Sequence, residues 1–251
     1  MRGGRRSGAV KAGLRLAAAS MAVSLLSCTT ILRSREGLGI PEKTIILAFD
    51  DGPSEREELD MELLDVLGKR ETRVFFCLIG SKLKGHEAVV RRILEDGHRI
   101  AFHSQNHEEY MSKNPETFFE EYKRFNEEIS AIVGRPFVAG YVRPPAGIVN
   151  IRLEKAIEER GIVLVRSTHY PSDTFVNSFQ ADDYMARIEA EILRKRGGLF
   201  TFHDGIELFP RPRPGDFFDP KSSADREWLP GRVGRLIEDL KAAGFIFSLY
   251  P

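Results

Sequence analysis

Short apolar runs and longer amphipathic stretches take turns along this 251-residue chain. TIILAF (44–49) is a continuous apolar run of strand length, followed by a charged segment with Leu59, Leu63, Leu64 and Leu67 at helical spacing. TRVFFCLI (72–79) predicts a second strand, and Glu87 to Glu95 a second helix with Val89, Val90, Ile93 and Leu94 inward. HRIAF (98–102) is a short third strand. Phe118, Tyr122, Phe125, Ile129 and Ile132 then mark one face of a helix, with Asn114 as its cap and Pro115 in its first turn. Strand FVAGYV (137–142), helix 150–160, strand IVLVR (162–166), helix 181–196, strand LFTFH (199–203), helix 232–243 and strand FIFSL (245–249) complete the rhythm. Several strands are apolar on both faces, which argues for a parallel sheet covered by helices. The expected fold is α/β, a distorted, closed or nearly closed (β/α) barrel of about seven parallel strands. Between strand and helix, residues 205–231 form a long connection rich in Pro and aromatics, a candidate lid or surface padding.

The first 15 residues carry Arg2, Arg5, Arg6, Lys11 and Arg15 and no acid, and residues 16–30 (LAAASMAVSLLSCTT) are uncharged. A basic stretch before a short apolar run is the layout of an export signal, and the run is short for a spanning helix, which needs ~20 apolar residues. Leu25, Leu26, Ser27 and Cys28 resemble a bacterial lipobox. The resemblance implies a signal peptide over 1–28, lipid attachment at Cys28 and a location in the cell envelope; ordinary cleavage nearby or an uncleaved anchor are the alternatives. Residues 29–41 read as a tether and 42–251 as the folded domain. Cys77, inside a strand, reads as a small core residue. With 37 basic and 37 acidic residues the formal charge is zero, which speaks against a nucleic-acid partner.

Chemistry collects at strand ends. Asp50 and Asp51 follow the first strand, His103 and His107 the third, Arg143 the fourth; Asp173 comes soon after the fifth, and His203 ends the sixth. In a parallel barrel these meet on one rim. Adjacent carboxylates repel unless a cation or base is near. His103 and His107 are four apart, so one helical turn is expected to put both imidazoles on one side. Two His and one Asp leave open coordination positions, the pattern of a catalytic metal. The remaining carboxylate, histidine and arginine complete a hydrolase toolkit. His86 and His98 lie away from this rim, and His169 matches no role.

In order, AFDDGP (48–53), HSQNH (103–107), RPPAG (143–147), YPSDTF (170–175) and TFH (201–203) resemble the five motifs of the polysaccharide deacetylase family, the NodB-homology domain of carbohydrate esterase family four. They span about 160 residues. The resemblance implies Asp50 as catalytic base, Asp51, His103 and His107 as metal ligands, and Arg143 as the partner of Asp50. It implies His203 as acid, oriented by Asp173, and the Ala146 N–H as oxyanion contact. Ala146 stands where an aromatic residue is usual. Thr201 replaces a leucine that lines the acetyl-methyl pocket, and Phe175 stands in for part of a wall whose usual Trp is missing. Zn²⁺ is the leading ion, with Co²⁺, Ni²⁺ and Mn²⁺ as alternatives. The implied reaction is N-deacetylation of an amino-sugar polymer. Peptidoglycan is the leading substrate, on the strength of the expected envelope location. An O-acetyl esterase acting on xylan or another glycan, and a non-catalytic carbohydrate-binding protein, are the rival readings.

Overall fold

The computed structural model describes residues 28–30, 32–207 and 211–249; the expected signal peptide, apart from Cys28, lies outside them. Nine strands occur among the described residues: β1 Cys28–Thr30, β2 Thr44–Gly52, β3 Phe75–Leu78, β4 Arg99–Phe102, β5 Tyr141–Val142, β6 Ile148–Asn150, β7 Val163–Leu164, β8 Gly197–His203 and β9 Ile246–Phe247. The α-helices are α1 Glu57–Lys69, α2 Glu87–Glu95, α3 Pro115–Val133, α4 Ile151–Glu158, α5 Ala181–Lys195 and α6 Leu229–Ala242. Seven strands form one parallel sheet in the order β7-β5-β4-β3-β2-β8, with β9 beside the start of β2. All seven strands and six helices expected from periodicity are present. β5, β7 and β9 are each only two residues long, because ladder bonds form only where neighbouring strands overlap.

The sheet curls into a half-barrel whose two surfaces follow strand parity, since successive side chains point to opposite faces. Ile45, Leu47 and Phe49 of β2, Phe76 and Leu78 of β3, and Phe200 and Phe202 of β8 pack outward against the helices. Ile46, Ala48, Phe75, Cys77, Ala101, Val165 and Leu199 fill the inside of the curl. Cys77 is a buried free thiol in that inner layer, as expected of a small apolar residue. The aromatic stripe of α3 is core packing: Phe125 lies 4.9 Å from Phe102, centroid to centroid. The helix begins where Asn114 accepts a 2.8 Å bond from the Thr117 N–H, with Pro115 at the first turn, and ends at left-handed Gly134.

The edge strands β7 and β8 share no ladder, yet the curl is nearly closed between them. Thr168 donates both its N–H and its hydroxyl to the Leu199 carbonyl, each at 2.9 Å. Gly198 makes that approach possible, because a Cβ there would lie 2.4 Å from the Thr168 hydroxyl. The stretch read as a tether also makes specific contacts. β1 pairs antiparallel with β6, Arg33 donates its N–H to the Ser167 carbonyl, and Ile40 is buried in the inner layer. Among the described residues no helix is long and apolar enough to cross a membrane.

Candidate active site

Parity carries the inner faces of the strands up to one rim. In β2 the inward series Ile46, Ala48 continues to Asp50; in β8, Leu199 and Thr201 continue to His203. Past the end of β4, Ala101 is followed by His103, and past β5, Tyr141 by Arg143. Asp50 pairs in register with His203 on one side and Cys77 on the other, so these ends sit at one height. They surround a cavity of about 310 Å³.

Asp51 ought to face away, being adjacent to Asp50. It does not, because β2 is irregular between Asp50 and Gly52 and Asp51 adopts a left-handed φ of 71°. His103 and His107 are brought together by a loop, which corrects the helical turn expected from their spacing. Ser104 (φ 71°) and His107 (φ 56°) are left-handed, so the chain turns too tightly for a helix. Among the described residues, four of the seven non-glycine residues with positive φ are Asp51, Ser104, His107 and Ala146, all at this rim. Strain concentrated there fits a site held by its surroundings for a purpose other than stability.

Nε2 of His103 and of His107 each lie 3.2 Å from the same carboxylate oxygen of Asp51, Oδ1. His103 donates its Nδ1–H to the Arg143 carbonyl at 2.7 Å; a carbonyl can only accept, so the ring in its neutral form presents a lone pair at Nε2. A lone pair facing a carboxylate oxygen is repulsive unless a cation lies between them. Ligand atoms of Asp51, His103 and His107 lie within 4.8 Å of one another, so this donor set fits a divalent ion. The other oxygen, Asp51 Oδ2, accepts the Glu207 N–H at 3.1 Å, and Lys82 donates to the Asp51 carbonyl at 3.0 Å. Burial opposes ionisation of Asp51; the imidazoles of His103 and His107, when they carry a proton at Nε2, donate to it and, with the charge of His203, hold its carboxyl well below the ordinary range.

Beside this triangle Arg143, almost fully buried, donates from Nε to Asp50 Oδ2 at 2.9 Å and from Nη1 to Ser167 Oγ at 2.9 Å. Burial alone would raise the Asp50 carboxyl; the Arg143 guanidinium, then His103 and His203, reverse the direction and keep it ionised. Its other oxygen, Oδ1, is buried and accepts no hydrogen bond among the described residues. Ser167 hydrogen-bonds Thr201 at 2.8 Å. Thr201 is thus fully buried at the end of the Asp50, Arg143, Ser167 chain and does not face the cavity, contrary to its expected place in a methyl pocket. Ala146 does line the cavity, and so does Phe175, which is 70% exposed at the mouth.

His203 closes the group. Its Nδ1 lies 2.8 Å from Asp173 Oδ1, and its backbone N–H donates to Asp173 Oδ2 at 2.8 Å. Burial would lower its pKa, but Asp173, with Asp51 and Asp50 beyond it, raises it to about 9. Every residue singled out from the sequence lies at this rim except Thr201, which sits one layer below. Arg226, Ser167, Lys82, Glu207 and Leu32 belong to the same neighbourhood and were not singled out, because none stands in a periodic element or a motif. His169 is buried against Phe200 at 4.8 Å and held down to about 4 by desolvation, away from the cavity.

A chitooligosaccharide deacetylase of Sinorhizobium fredii is 25% identical over 218 residues, 86% of this chain and 94% of that one. A peptidoglycan-N-acetylglucosamine deacetylase of Bacillus cereus is 28% identical over 215 residues, 82% of this chain and 85% of that one. Other relatives are longer proteins, of which the chain matches as little as 25%. The structure of a family 4 acetyl xylan esterase from Clostridium thermocellum, in complex with a cobalt ion, superposes with a TM-score of 0.62 at 22% identity, covering 82% of this chain and 87% of that one. A model of the family described as polysaccharide deacetylase matches residues 39–165, and the chain belongs to that family of hydrolases.

Proposed function

We propose that this protein removes N-acetyl groups from an amino-sugar polymer, peptidoglycan foremost, with a divalent ion, Zn²⁺ first among candidates, held by Asp51, His103 and His107. The observation that carries the reading is the shared Asp51 oxygen facing two imidazole Nε2 atoms, flanked by Asp50 paired with Arg143 and by His203 paired with Asp173. An ion there supplies a Lewis acid that acidifies water and polarises an acetyl carbonyl. Asp50, kept anionic by Arg143, accepts a proton from the attacking water through its unpartnered Oδ1. The Ala146 N–H donates to the oxygen on which negative charge develops. His203, with Nδ1 engaged by Asp173, gives a proton from Nε2 to the nitrogen as the C–N bond breaks. Acetate and a free amine leave. Phe175, exposed at the mouth, offers its ring to a sugar face, and the Arg143–Ser167–Thr201 chain holds the base in place.

An exported protein anchored through a lipid on Cys28 would meet wall glycan at the membrane, which supports peptidoglycan over chitin. The test is acetate release from purified wall polymer, from N-acetylglucosamine oligomers and from O-acetylated xylan, with and without a chelator. Release from the N-acetylated polymers, lost on chelation and restored by Zn²⁺, is the expected result. Release from xylan alone transfers the protein to the esterases, and release from none of them makes it a carbohydrate-binding member of the fold.

A further inference from the structure

The long connection after β8 ends in a buried cation that no step above employs. Arg226, 2% exposed, reaches the acid half of the site with its whole guanidinium fork. Nη2 donates to Asp173 Oδ2 at 2.5 Å, Nη1 to the Asp173 carbonyl at 2.9 Å and Nε to the His203 carbonyl at 3.0 Å. The guanidinium lies 4.5 Å from the Trp228 ring, which holds it from another side. Asp173 is fully buried, with Oδ1 given to His203 Nδ1 and Oδ2 shared between the His203 N–H and Arg226. Without the guanidinium, Oδ2 would keep a single backbone donor. The carboxylate would then be held less firmly, and so would the imidazole it steers. An ammonium could meet one of the three acceptors but cannot span them as a planar fork.

We infer that Arg226 is a positioning residue for proton delivery: through Asp173 and the His203 backbone it fixes the imidazole in the orientation from which Nε2 faces the departing amine. The inference rests on the deacetylase reading, and it assigns the 205–231 connection a task, which is to carry Arg226 and Trp228 to the site. No bond to substrate is involved. An amine leaves only with a proton, whereas a 4-nitrophenolate leaves without one, so the two leaving groups separate proton delivery from every other part of the site.

The experiment compares wild type, Arg226→Gln and Arg226→Lys on an N-acetylglucosamine oligomer and on 4-nitrophenyl acetate, with metal content measured for each. Arg226→Gln is expected to lower kcat on the oligomer about 10- to 100-fold, part of the 10²–10⁴ that a positioned acid contributes. KM should stay unchanged and aryl acetate turnover should stay within about twofold of wild type. Arg226→Lys should recover part of the loss, and it carries the same comparison should Arg226→Gln not fold. Parallel loss on both substrates would mark Arg226 as merely structural, and no loss would mark it as idle; either overturns the inference. If wild type itself cleaves only the aryl ester, the deacetylase reading fails. The positioning claim is then judged by the downfield Nδ1–H proton of His203 in ¹H NMR, which must be present in wild type and lost in Arg226→Gln.

Discussion

Arg143 shows how much one side chain can organise. Its guanidinium holds Asp50 ionised and its carbonyl sets the His103 tautomer, so base and candidate ligand share one support. Replacing Arg143 by Met therefore acts in two measurable ways. Asp50 loses the cation that offsets its burial, so its pKa rises and the acidic limb of the kcat/KM profile moves to higher pH. Turnover near neutrality should fall by about 10² or more, within the range a general base contributes. A buried carboxylate is also left uncompensated, at a cost of about 3–5 kcal/mol in a denaturant melt. Asp50→Asn makes the contrast: activity should fall as far or further, while metal content stays at the wild-type level. His103→Ala should lose metal and activity together, because Nε2 is removed from the triangle. Full turnover in Asp50→Asn would refute the assigned base.

Elements place these residues by simple rules. β2 and β8 need only alternate to deliver Asp50 and His203 to the rim, and α3 needs only its four-and-three spacing and a cap to cover Phe102. The cap is separable from the chemistry. Asn114→Ala removes the 2.8 Å bond to the Thr117 N–H and should cost about 1 kcal/mol in a melt, with kcat and KM unchanged. The same rules explain what could be read from the chain. Strands, helices and the residues at strand ends were legible, because period and parity are local properties. Asp51 was legible as a motif residue but not as a geometry: parity turns it outward, and only the irregularity in β2 with its left-handed φ turns it back. The His103 to His107 loop was misread as a helical turn for a related reason, since a left-handed serine leaves no mark in the pattern. Thr201 was assigned by its place in a motif; its partner Ser167 is 34 positions away and drew the hydroxyl inward. Arg226 sits in a stretch with no period at all, so only tertiary contact reveals it.

At the scale of the whole molecule, the curl of the sheet places several ionisable groups where water cannot screen them, and stability must then follow pH in a way the site dictates. His203 is raised from 6.5 to about 9 and Asp173 is lowered from 3.8 to about 2, each chiefly by the other once the cost of burial is overcome, with Arg226 assisting the second. A raised imidazole contributes stability that is complete below its unfolded value and is lost as pH climbs through the folded one. A depressed carboxylate contributes above its unfolded value and loses that contribution as pH falls through the folded one. The two windows overlap between 3.8 and 6.5, where the pair should stabilise the fold fully. Metal-free protein should accordingly show a Tm that declines from pH 6.5 to about 9, and His203→Gln should flatten that decline. Bound Zn²⁺ would neutralise part of the Asp51 charge that helps raise His203, so in the loaded protein the decline should still begin near pH 6.5 but end at lower pH and be smaller. A decline of equal steepness in wild type and His203→Gln would place its origin elsewhere in the fold and remove the protonated histidine from the proposed chemistry.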